Sequence, residues 1–170
     1  MKRTKRHVNL ISVDEAEART IERGTKFRAT IKPLAMASGG SLIGANHYEV
    51  PPGSTAFPHH YHCAVEESIF VLEGAGTMRI GEERVDVKLG DYISFPPGPD
   101  HAHQLINTGN TPLRYLCISS KTTTDVVGYP DSKKIAAMGS PSLKFFDPPW
   151  VRAVFYKDSQ VDYYEGEDDT

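Results

Sequence analysis

The chain has 170 residues, 39% of them hydrophobic, and a formal net charge of −3. That length suits one domain with a sizeable core, and the mildly acidic balance lacks the basic footprint of a nucleic-acid binder. No apolar run approaches the roughly 20 residues a membrane-crossing helix needs. Two cysteines, Cys63 and Cys117, make no disulfide framework, so a cytoplasmic protein with reduced thiols is the expectation.

The first seven residues, Met1-Lys2-Arg3-Thr4-Lys5-Arg6-His7, are basic without the apolar segment of a secretory signal, and read as a solvated arm. Ser12-Val13-Asp14-Glu15 has the pattern of a capping box and predicts one or two helical turns, ended by Gly24. Phe27 to Leu34 leans to β, and Pro33 within it argues for an edge strand. Ser38-Gly39-Gly40-Ser41 is a flexible loop, and Leu42 to Val50 is a strand that stops at the Pro51-Pro52-Gly53 turn.

From Phe57 short strands alternate with turns. The run Ile69-Phe70-Val71-Leu72 inside Glu67 to Glu73 suits a strand covered on both faces. Thr77 to Ile80 and Arg84 to Val87 flank Gly81-Glu82-Glu83 as a hairpin. Asp91 to Phe95, Ala102 to Ile106 and Leu113 to Ser119 follow. Many short strands between Gly and Pro turns mean an all-β sandwich or small barrel. After Thr122 the pattern dissolves into a loop at residues 129–134, a proline-broken apolar stretch at 145–150, a last strand from Val151 to Tyr156 and an acidic tail. The aromatics there are expected to pack on the barrel or on a second subunit. The layout is thus one domain, with an arm and edge strand in 1–37, a barrel in 38–122 and a C-terminal extension in 123–170.

Chemistry concentrates in Pro58-His59-His60-Tyr61-His62-Cys63-Ala64-Val65-Glu66-Glu67. On an extended backbone His60 and His62 share a face, and His59 turns the other way as a surface residue. Two imidazoles with a nearby carboxylate make the larger part of a transition-metal site. Glu66 and Glu67 face opposite ways, and the apolar run after them does not decide between the two. His101 and His103 also share a face, downstream of Pro96-Pro97-Gly98.

Gly53 followed by this His-x-His cluster, a Glu and then a Gly resembles the first motif of the cupin superfamily. Gly90 followed by Pro96-Pro97-Gly98, a His and Asn107 resembles its second motif. Two spaced motifs in order are more specific than either alone. The resemblance covers about the middle half of the chain. It implies a double-stranded β-helix, a jelly-roll barrel of the RmlC-like kind, with one divalent metal ion inside the mouth. It implies no particular reaction.

The family's spacing to Gly74 favours Glu67 over Glu66. Counting from Pro96-Pro97-Gly98 selects His101, whereas counting back from Asn107-Thr108-Gly109 selects His103, which is favoured because it lies in a strand rather than a turn. The implied ligand set is His60, His62, Glu67 and His103, suited to Fe, Mn, Ni or Zn. Cys63 lies between the ligands as a possible thiolate contact, with a small packed or exposed thiol as the alternative. His47, Tyr48, Glu49, Arg114 and Tyr115 are pocket candidates, and an inward Arg114 would hold an oxyanion. No catalytic acid or base is assigned. The expected function is a metal-dependent enzyme acting on a small polar or oxyanionic molecule, as an oxygenase (of the dioxygenase-like kind), decarboxylase or isomerase. A non-catalytic binding or sensing module is the alternative. A homodimer is expected, formed by adding Phe27 to Leu34 to a partner's sheet edge, with neither nucleic acid nor membrane as partner.

Overall fold

The computed structural model describes residues 7–143 and 147–167. Phe145, Phe146, most of the basic N-terminus and the end of the acidic tail lie outside the described residues. One sheet has six strands in the order β1-β2-β3-β10-β5-β8. These are β1 Arg19–Arg23, β2 Phe27–Pro33, β3 Ile43–Val50, β10 Leu113–Ser120, β5 Glu67–Glu73 and β8 Tyr92–Phe95. A second layer has two pieces. The first joins β13 Val151–Tyr156, β12 Lys134–Gly139, β11 Thr124–Tyr129 and the two-residue β4 Tyr61–His62. The second joins β7 Glu83–Lys88, β6 Ala75–Ile80 and β9 His103–Ile106. A bridge between His60 and His103 connects the two.

Period-two alternation puts one face of each layer inward. Val50, Val71 and Leu113 from the six-stranded sheet are fully buried against Met78 of β6, and Leu105 of β9 joins the same cluster. This closes one end of the barrel with aliphatic side chains. Asn107, also fully buried, fixes the turn beside it. Its amide donates to the carbonyls of Val50 and Thr111, both at 2.8 Å, and its oxygen accepts from the Gly109 amide at 3.0 Å. Gly74 lets the chain turn from β5 into β6. Its φ is +82°, and a Cβ would stand 2.6 Å from the Pro112 carbonyl oxygen.

Several expectations need correction. The capping-box segment makes a turn and no helix, although the Glu15 carboxylate does accept from the Ser12 amide at 3.2 Å. A four-residue helix, α1 Leu34–Ala37, instead follows Pro33. β2 is an interior strand, paired with β1 on one side and β3 on the other. Pro33 is tolerated because β1 pairs no further than Ile31, so its missing N–H faces an unpaired side. β5 is covered on one face only: Ile69 and Val71 are buried, whereas Phe70 and Leu72 are exposed. The region after Thr122 is not patternless, since β11 and β12 form a register-perfect hairpin there.

Candidate metal centre

His60 and His103 sit directly opposite each other at the seam of the second layer. Each backbone amide donates to the other's carbonyl, at 3.2 and 2.8 Å. His62 is two residues further on, on the same face, in β4. Glu67 begins β5 in the facing sheet and reaches across. Its Oε2 lies 3.3 Å from His103 Nε2, 3.5 Å from His62 Nε2 and 3.8 Å from His60 Nε2. Ligand atoms of His60, His62 and Glu67 all fall within 4.8 Å of one another, the spacing of a group able to hold a metal ion.

The competing residues lie elsewhere. Glu66 is exposed, its backbone amide donating to Ser120 Oγ at 2.9 Å. His101 sits in the 3-10 turn Pro99–His101 and gives the site its carbonyl, which accepts from His103 Nδ1 at 3.0 Å. Cys63 is exposed, and the thiol near the cluster is that of Cys117, 3.8 Å from Glu67 Oε1. His59 is not a surface residue. It is 2% exposed, with Nδ1 3.4 Å from Asp131 Oδ1, and neither ring nitrogen makes a hydrogen bond among the described residues.

Each imidazole of the cluster is held through Nδ1 by a group that can only accept. His60 Nδ1 donates to the Pro58 carbonyl at 2.9 Å, His103 Nδ1 to the His101 carbonyl and His62 Nδ1 to Asp125 Oδ2 at 2.5 Å. A neutral imidazole has one N–H, so this fixes the tautomer and turns three Nε2 lone pairs toward Glu67. Phe95 stacks on His103 at 3.7 Å between ring centres and restrains its plane. Asp125 is the site residue that sequence reasoning misses. It is buried in β11, and its second oxygen accepts from the Ala64 amide at 3.0 Å.

The electrostatics follow from this crowding of acceptors. Burial works against ionising Glu67, but the three imidazoles around its carboxylate, His103 first, outweigh it and hold the carboxyl far below its usual range. Burial also works against a charge on His62, yet the hydrogen bonds to Asp125 and Glu67 raise its pKa to about 9. For His103 burial wins, and the ring is pushed toward the neutral form despite Glu67. A proton on His62 thus competes for this position with a cation, which one carboxylate and three imidazole Nε2 atoms suit by their donor chemistry.

The cluster lies in a cavity of about 370 Å³ between the two layers. Tyr48 and Tyr115 line it, 6% and 4% exposed, their rings stacked 4.9 Å apart. Burial pushes both phenol pKa values up, so both remain donors. Neither hydroxyl has a hydrogen-bond partner among the described residues. Arg114, the residue expected to hold an oxyanion, turns outward. Its Nε donates to Glu49 at 2.7 Å and its Nη1 to Glu73, because Arg114 and Tyr115 occupy opposite faces of β10. His47 and Glu49 likewise point away from the cavity. Arg152 of β13 lines it instead.

Residues 46–119 match the family described as the cupin domain, and that span contains all four clustered side chains. Residues 46–119 form a cupin domain. Over 70 residues the chain is 41% identical to an uncharacterized protein of Methanocaldococcus jannaschii, a stretch covering 41% of this chain and 54% of that protein. The chain thus spans about half the length of that relative. A sugar phosphate isomerase of the cupin superfamily from Silicibacter pomeroyi superposes with a TM-score of 0.75 at 23% identity, over 88% of this chain and 94% of that one. A predicted oxalate decarboxylase from Thermotoga maritima superposes with a TM-score of 0.57 at 26% identity, over 65% of this chain and 97% of that one. The shared fold is the cupin double-stranded β-helix. No helix among the described residues is long and apolar enough to cross a membrane.

Proposed function

We propose that this cupin is a metal-dependent enzyme acting on a small oxyanionic molecule, with one divalent transition-metal ion held by His60, His62, Glu67 and His103. The observation that carries the reading is the orientation of the three imidazoles: each is held through Nδ1, and the three Nε2 atoms face Glu67 Oε2 at 3.3, 3.5 and 3.8 Å. Protons shared with Glu67 satisfy this set only in part, whereas a cation would be shared by all four groups. Four protein ligands leave a position for substrate on a five- or six-coordinate ion, which would supply Lewis-acid or, if iron, redox chemistry.

The chain's own residues have separable tasks. Asp125 and the Pro58 and His101 carbonyls orient the imidazoles. Apolar side chains such as Phe57, Ile69 and Val127 exclude water and hold the body of the substrate. The protonated Tyr48 and Tyr115 hydroxyls are donors for a polar group brought beside the cluster. The Thermotoga maritima relative, named for oxalate, supports an oxyanionic substrate.

The apolar majority of the lining favours a second reading, a binding module without turnover. The test is to strip the protein with a chelator, reload it with Fe(II), Mn(II), Ni(II) or Zn(II), and assay a panel of small carboxylates and phosphates. Turnover lost on stripping and restored by one ion supports the enzyme. Turnover that survives stripping, or tight binding without turnover under every ion, overturns it.

A further inference from the structure

Arg152 is the one Lys or Arg side chain among the described residues that lines the metal-centre cavity. Strand pairing shows why it looks inward. Arg152 faces Met138 on β12, Met138 faces Asp125 on β11, and Asp125 holds His62. Directly paired residues share a sheet face, so Arg152 belongs to the same row as the carboxylate behind the metal cluster. Two strand spacings of about 4.8 Å put its Cα roughly 10 Å from that of Asp125. Its long side chain covers much of that gap.

The other arginines that make ion pairs spend their charge on the outer surface: Arg28 on Glu22, Arg79 on Asp131 and Arg114 on Glu49 and Glu73. Arg152 has no ion-pair partner among the described residues. An exposed guanidinium at the rim of the cavity that holds the histidine cluster is a fork of donors suited to a planar carboxylate or a phosphate. Between the two ends the walls are Phe57, Ile69, Val127, Ala136 and Val154.

We propose that Arg152 anchors the ligand by an oxyanionic group, so that the pocket selects a molecule with a carboxylate or phosphate at the rim, an apolar midsection and a reactive end at the metal cluster. This rests on the reading of the cavity as a substrate site. The closing experiment separates the two claims.

Binding of benzoate, phenyl phosphate and the neutral benzyl alcohol is measured by calorimetry on metal-loaded and metal-stripped protein. The wild type is compared with Arg152→Gln and Arg152→Lys, with metal content determined for each. Arg152→Gln is expected to weaken at least one of the two anions by roughly tenfold or more, leave benzyl alcohol within about twofold and keep the metal. Arg152→Lys is expected to recover part of the loss. Whichever anion shows the larger loss identifies carboxylate or phosphate as the recognised group. Arg152-dependent anion binding in a protein that holds no metal would leave this proposal standing and sink the metal reading. Metal retained with anion affinity unchanged in Arg152→Gln, or no anion binding by the metal-loaded wild type, would overturn the proposal. A matching thermal melt and an unchanged light-scattering mass for both variants exclude misfolding and altered assembly as the cause.

Discussion

Asp125 has the most specific task of any residue outside the proposed ligand set. Its carboxylate fixes His62 in the tautomer that presents Nε2, and such supporting partners typically contribute 10–100-fold in metal affinity. Asp125→Ala is therefore expected to lower metal affinity by about that range in a chelator competition, with the metal still bound at saturation. Unchanged affinity would remove Asp125 from the site. The histidines of the second motif make a sharper contrast. His103 presents its ring to Glu67, whereas His101 contributes a backbone carbonyl, which survives replacement of its side chain. His103→Ala should lose metal far more readily than His101→Ala on dialysis against the same chelator. The reverse order would show that the turn, and not the strand, supplies the ligand.

At the scale of elements, the two motifs were legible because the family pattern sets His, Glu and Gly at fixed spacings, and β2, β3, β5 to β10 and β13 because their apolar residues and turns announce them. β11 was not legible. Asp125 and Gly128 both read as strand breakers, and both meet side chains of β4. Asp125 backs His62, while Gly128 lies under the Tyr61 ring of β4, where a Cβ would meet ring carbons at 2.2 and 2.3 Å. Local propensity gives way where function fixes the residue. Arg152 was hidden for a related reason, since which face of β13 turns inward depends on pairing with β12. Gly128→Ala is expected to cost about 1–3 kcal/mol through overpacking, seen as a Tm several degrees lower. An unchanged Tm would mean that the β4–β11 contact is loose.

On the scale of the whole molecule, β13 ends its sheet as an exposed, largely apolar edge. The edge of β2 offered for dimer formation is taken by β1 of the same chain. Among the described residues β13 pairs only with β12, and all six of its residues are exposed, with Val154, Phe155 and Tyr156 among them. A long apolar edge calls for a cover, and antiparallel pairing with the β13 of a second copy is self-complementary about a two-fold axis. We therefore propose a homodimer joined at β13. Light scattering at micromolar concentration should give the mass of two chains for the wild type and of one chain for Phe155→Lys. A wild-type mass of one chain would contradict it.

The central claim is that the His60, His62, Glu67 and His103 side chains hold a metal ion. Elemental analysis of the purified protein beside the double variant His60→Ala, His62→Ala tests it most directly. The account predicts about one transition-metal ion per wild-type chain and almost none in the double variant, whose circular dichroism should remain that of a folded β protein. A wild type without metal after exposure to all four candidate ions, or a folded double variant with its metal content intact, would contradict it.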